Sequence, residues 1–120
     1  MMVQATKTNA EDLEAVSNML AAIDPFVKLR QTMPLRCVQA FLLVAYNEGQ
    51  AVGEYARIAK LSPSTMSRNL LDIGERDRYG QAGLDLVLGR DNPNNRREKE
   101  YFLSAKGRAM VGTVAKRWRG

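Results

Sequence analysis

Histidine is absent from the 120 residues, and cysteine occurs once, at Cys37. Without histidine the chain lacks the commonest general base. A single thiol excludes an internal disulfide framework and, with no histidine beside it, cannot complete a zinc site. No paired acidic motif supports hydrolysis, so no catalytic residue, metal or cofactor is expected, and the chain reads as something other than an enzyme. Long apolar runs are missing too. None reaches the length of a membrane span, and the start, MMVQATKTNA, has no apolar signal core. These absences predict a soluble, intracellular protein with no membrane partner. Internal repeats and low-complexity segments are also absent.

What remains is ordinary globular material, 45% hydrophobic and 26% charged, enough for one modest core. The charge is unevenly placed. Residues 90–120 hold nine Lys/Arg against three Asp/Glu, whereas residues 1–89 hold nine against ten, so the whole net charge of +5 comes from the last quarter. Such asymmetry favours a polyanionic partner, nucleic acid before membrane; a solvated basic tail is the plain alternative.

Periodicity divides the chain into short helices. Asn9 is placed to cap a first helix, on whose face Leu13, Val16, Met19, Leu20 and Ile23 recur. Asp24-Pro25 punctuates it, so a separate short helix is expected from Pro25 towards Met33, ended by Pro34. LRCVQAFLLVAY, residues 35–46, is apolar on nearly every side and should be touched by neighbours all round. A shorter helix turns Val52, Tyr55, Ala56 and Ala59 inward and ends near Leu61. Ser62 then caps the next helix, with Pro63 in its first turn. At 100° per residue Met66, Leu70 and Ile73 share one stripe, with Ser64 and Arg68 opposite and Thr65 and Ser67 on the flanks. ERDRYGQAG reads as a loop. LDLVLGR, with Leu84, Leu86 and Leu88 on one side, and EKEYFLS, with Tyr101 and Leu103 opposed to Phe102, read as two strands around the turn-rich DNPNNRR. A last helix runs from about Ala105 to Arg117.

Two helices joined by a tight turn, the second with a polar outer face, make a helix-turn-helix, and a hairpin after it makes a wing. The polar face explains why LSPSTMSRNLL spends so many poor helix formers on a helix. A helix entering the major groove needs short donors and acceptors, plus an arginine long enough for bidentate contact with guanine. Ser62, Ser64, Thr65, Ser67, Arg68 and Asn69 supply them. At the hairpin tip Asn95, Arg96 and Arg97 are placed to follow phosphates or enter the minor groove. Lys60, Arg90, Lys99 and Lys106 could add phosphate contacts.

At these residues the sequence resembles the MarR-like winged-helix transcription regulators. NNRREKEYFLSAKG, residues 94–107, matches the family's wing pattern of Asp-x-Arg, five residues, then Leu-Thr-x-x-Gly, with Asn95, Arg97, Leu103, Ser104 and Gly107 at those places. AVGEYARIAKLSPSTMSRNLLDIGE, residues 51–75, is similar to the family's helix-turn-helix, with Tyr55 replacing a leucine between Glu54 and Ala56. Asn95 stands where the family has an acid, and ERDRYGQAG is longer than the usual link to the wing. The resemblance implies a mainly α fold with a small β-hairpin: a winged helix-turn-helix over residues 35–120, preceded by a helical dimerisation segment at 1–34. It also implies a sequence-specific double-stranded DNA-binding regulator acting as a homodimer in a prokaryotic or phage context, cytoplasmic and associated with the nucleoid. The dimer would rest on residues 9–33 and on AMVGTVAKRW.

Two other readings compete. One is a winged-helix adaptor for an acidic protein, which should show more aromatics where Arg68 and its hydroxyl neighbours stand. The other is an architectural or replication protein with little sequence preference. Cys37 reads as a buried structural thiol and Trp118 as a helix closing on the core or a partner. Nothing in the sequence argues for a small-molecule effector.

Overall fold

A computed structural model describes residues 7–120, with the side chain of Arg96 excepted; residues 1–6 of the expected N-terminal segment lie outside the described residues. The elements run α1 (Ala10–Leu29), α2 (Leu35–Tyr46), α3 (Val52–Ala59), α4 (Pro63–Asp72), β1 (Val87–Asn92), β2 (Asn95–Leu103) and α5 (Ala105–Arg119). This is the expected mainly helical fold with one antiparallel hairpin.

α1 begins where its cap predicts, with Asn9 Oδ1 accepting the Asp12 amide at 2.8 Å. The expected break at Asp24-Pro25 does not occur: α1 runs through Pro25 to Leu29. Proline offers no N–H to the Ala21 carbonyl four residues earlier. The donor comes from α5 instead, where Arg117 Nη1 reaches the Ala21 oxygen at 3.3 Å.

α2 spans the expected residues but is not enclosed all round. Cys37, Ala40, Phe41 and Val44 face the core, while Leu35 and Tyr46 are 82% and 91% exposed, because α3, α4 and β2 all pack on its other side. The Phe41 ring meets Phe26 of α1 edge-on, 5.8 Å between centroids. α3 ends with Lys60 in the left-handed region, φ +57° and ψ +43°, and this turn releases the chain into α4. Ser62 caps α4 by accepting the Thr65 amide, and Met66, Leu70 and Ile73 are buried as their spacing predicts.

The polar stretch after α4 is a pinned loop. The Asp77 carboxylate accepts the Tyr79 and Gln81 amides, both at 2.9 Å, and Arg76 and Ala82 form an isolated bridge. Arg78 pairs with Asp72 at the end of α4. The first wing strand starts three residues later than the alternation suggests, at Val87 rather than Leu84. Asp85, with φ +56°, interrupts the extended backbone, although Leu84 and Leu86 are both buried. Pairing runs from Val87–Leu103 to Asp91–Lys99, then shifts so that Asn92 meets Asn95. The turn is therefore shorter than DNPNNRR, with the irregularity displaced into Arg96–Glu98. Gln50 pairs with Tyr101 as a third, one-residue rung.

The core lies between α2, α3, α4 and the base of the wing. α1 and α5 pack on each other and extend away from it. The molecule measures 64 × 30 × 25 Å with a radius of gyration of 17.1 Å. A compact chain of this length would have about 14 Å.

Candidate nucleic-acid interface

α4 presents the expected face. Ser64 and Arg68 are exposed opposite the buried stripe, with Thr65 and Ser67 half-buried on the flanks. The hydroxyls of its first turn form a cluster: Ser62 Oγ lies 2.9 Å from Thr65 Oγ1 and 3.2 Å from Ser64 Oγ. Asn69 departs from the sequence reading. It is only 7% exposed and turned into the protein, with no hydrogen-bond partner at Nδ2, so it is not offered to a groove. Its position three residues from Met66 and four from Ile73 carries that signal in the sequence, because such spacing puts a residue on the buried stripe.

Beside α4 the wing forms one wall of a groove of about 610 Å³, whose lining includes Ser67 and Leu71 of α4, Arg76 of the pinned loop, and Arg97, Lys99 and Tyr101 of β2. Leu71, which falls on the polar side of α4, finds its place in this groove. Gly89 of β1 also faces it; a Cβ there would stand 3.2 Å from Lys99 Cδ and 3.3 Å from the Tyr101 ring. Asn95 accepts the backbone amide of Arg97 at 3.2 Å, so its side chain shapes the tip without an acid's charge. Arg96 belongs to the β2 backbone, and its side chain lies outside the described residues.

The cations expected at phosphate divide. Lys60, Arg68, Arg97 and Lys99 are exposed and have no carboxylate within ion-pair distance among the described residues. Arg90 lies on the opposite face of the wing from the groove, its guanidinium 5.1 Å from the centre of the Phe102 ring. Lys106 is exposed in the first turn of α5, outside the groove. Part of the basic excess is structural. Arg108 pairs with Glu48 at 2.8 Å and Arg117 with Asp24 at 3.1 Å, so the last quarter is not simply a solvated basic tail.

The hydrogen bonds by which Glu48, Tyr55 and Ser104 position this surface are not legible in the sequence pattern. Glu48 Oε1 accepts the Leu103 amide at 2.7 Å, and that bond, followed by Arg108, holds its carboxyl below the usual glutamate range. Tyr55, fully buried, donates its hydroxyl to the Asn47 carbonyl at 2.6 Å and accepts the Gln50 amide at 3.3 Å, which fixes the α2–α3 turn that pairs with β2. Ser104 caps α5 by accepting the Gly107 amide at 2.9 Å and donates to the Asp85 carbonyl at 2.6 Å. A serine directly ahead of a helical run is itself a cap signal. Cys37 is 3% exposed, and burial pushes its thiol above the ordinary range. Among the described residues no three His, Cys, Asp or Glu side chains gather as a metal site, and no helix is long and apolar enough to cross a membrane.

No protein-family model matches the chain, and no curated protein matches it in sequence. Solved structures do. RV1404 from Mycobacterium tuberculosis superposes with a TM-score of 0.66 at 16% identity, over 92% of this chain and 67% of that one. MarR itself gives 0.60 at 17% identity, over 93% and 79%. The fold is MarR-like. A mutant of S. aureus MepR bound to an oligodeoxyribonucleotide matches with a TM-score of 0.64 at 15% identity, over 95% of this chain and 78% of its own. In the MarR-like frame α3 and α4 are the helix-turn-helix, and β1 and β2 are the wing.

Proposed function

We propose that the protein is a double-stranded DNA-binding transcription regulator that acts as a homodimer, with α4 reading sequence in the major groove and the wing holding the backbone or minor groove. The observation that carries this reading is the outward hydroxyl-and-arginine side of α4, set beside a groove whose far wall holds Arg97 and Lys99. Ser64, Thr65, Ser67 and Arg68 meet bases; Ser62 closes the cap; Asn95, Arg96 and Arg97 form the wing tip; Lys60 and Lys99 neutralise phosphate. The DNA-bound MepR structure supports the same use of the fold.

The second copy is argued from α1. Leu13, Val16, Leu20, Ile23 and Val27 recur at alternating spacings of three and four and are 43–68% exposed. An apolar a/d repeat of this kind is a pairing surface for another helix. Nearby, Leu35, Leu42 and Trp118 border an apolar groove of about 310 Å³ that continues the same surface. Residues of the 1–34 segment therefore supply the dimer contact, and two α4 helices would enter successive major grooves about 10 bp apart. Such a protein works on the DNA of a prokaryotic or phage-infected cell, at the nucleoid.

Selection of bound sequences from a random duplex pool tests the proposal. The expected result is a motif with two-fold symmetry, against which Arg68→Ala loses roughly 1–3 kcal/mol while changing little on random duplex. Recovery of no motif would assign the protein to architectural binding, and no binding at all would leave the adaptor reading.

A further inference from the structure

Pro25 lies inside α1 and lacks the amide that would donate to the Ala21 carbonyl four residues earlier. The guanidinium of Arg117 on α5 supplies the substitute. Its Nη1 lies 3.3 Å from the Ala21 carbonyl oxygen and 3.1 Å from Asp24 Oδ2, so one planar cation meets both the orphaned acceptor and the carboxylate before the proline. The position of this contact matters. Immediately beyond it Phe26 packs edge-on against Phe41 in the DNA-reading head; immediately before it Leu13 to Ile23 carry the exposed apolar repeat. Pro25 therefore marks the point at which α1 leaves the head and becomes an arm.

We infer that Arg117 is a positioning residue: by replacing the amide that Pro25 lacks, it fixes the direction of the α1 arm relative to the head and so sets the separation of the two α4 helices in the dimer. The inference rests on the homodimeric regulator reading for its last step. Its leverage is large. The arm from Ala10 to Asp24 is about 22 Å long at 1.5 Å per residue, so a swing of roughly 10° moves its end by about 4 Å, more than one 3.4 Å base step.

The test uses Arg117→Met, which keeps the length of the side chain and removes its donors, and Pro25→Ala, which restores the backbone donor and makes Arg117 redundant. Nitroxide labels at Ser17→Cys and Gln39→Cys, in a Cys37→Ser chain diluted with unlabelled protein, report the distance from arm to head. A narrow distribution is expected for the parent, a broad one for Arg117→Met, and a narrow one again for Pro25→Ala/Arg117→Met. On duplexes carrying the selected half-sites at the natural spacing and at one base pair more or less, Arg117→Met should lose about tenfold in spacing discrimination. Its affinity for a single half-site should stay unchanged, which a general loss of structure would not allow. Asp24→Asn, which keeps the Ala21 contact, should behave like the parent. If Arg117→Met does not fold, Pro25→Ala and Pro25→Ala/Arg117→Met must still agree in distance and spacing preference. A narrow distribution in Arg117→Met, a broad one in the double variant, or a broad one in Asp24→Asn would overturn the inference. A parent protein that selects no two-fold site would instead remove the regulator reading, and the distances would still decide the role of Arg117.

Discussion

A single methyl group placed on Gly107 should unseat the wing from α5. Gly107 lies in the first turn of α5 against the backbone of Leu86, and a Cβ there would stand 2.0 Å from the Leu86 carbonyl oxygen and 3.1 Å from its carbon. Ordinary contact would need a retreat of more than about 1 Å. That same oxygen accepts the Ser104 amide at 3.0 Å, so the retreat strains the cap as well. Overpacking against fixed atoms costs about 1–3 kcal/mol, and a lost hydrogen bond adds about 1. Alanine's better helix propensity offsets about 1. The expected net destabilisation is therefore roughly 1–3 kcal/mol. Gly112 provides the control, since a Cβ on it meets nothing within 4 Å in the same helix. Gly112→Ala should stabilise by up to about 1 kcal/mol. Urea unfolding at fixed protein concentration, with the slope unchanged, reads both values. If Gly107→Ala unfolded at or above the wild-type midpoint, the close approach of α5 to Leu86 would be refuted.

Three further outcomes are expected. Arg97→Ala should weaken DNA binding and lower the slope of log affinity against log salt by about one unit; an unchanged slope would take the wing tip off the phosphates. The lowered Glu48 carboxyl gives stability that is present above the ordinary glutamate value and lost as pH falls through the lowered one. The advantage of wild type over Glu48→Gln should thus be full at neutral pH and close in acid, and a gap independent of pH would dismiss the carboxylate. Cys37, buried with a raised thiol pKa, should react with a thiol reagent only slowly in the native protein and rapidly in denaturant; rapid native labelling would contradict its burial.

Much of the fold was legible because its signals are local. Ser62-Pro63 announces the start of α4, and the inward residues Met66, Leu70 and Ile73 follow from their spacing alone. The alternation of Tyr101, Phe102 and Leu103 likewise settles which side of β2 is buried. The misreadings come from partners far away in sequence or from single backbone angles. Pro25 is a strong local breaker, and nothing near it reveals that Arg117 will supply the missing donor from α5. Asp85 looks like one more member of an alternating strand until its positive φ interrupts the run. Asn69 looks like one more polar residue among its neighbours, although its spacing from Met66 and Ile73 turns it inward. Tyr55 occupies a leucine position in the resemblance, and its hydroxyl bonds depend on a turn five to eight residues earlier.

Lys60 holds a left-handed backbone that glycine adopts at no steric cost and most side chains resist. Its ammonium stands in the turn just ahead of α4, where the proposed contact with phosphate would use it. Heat tolerance and grip on DNA therefore ask for different residues at this one place. A lineage pressed only by temperature would drift towards glycine there, and one pressed by the proposed DNA contact would keep the cation and tolerate the left-handed turn.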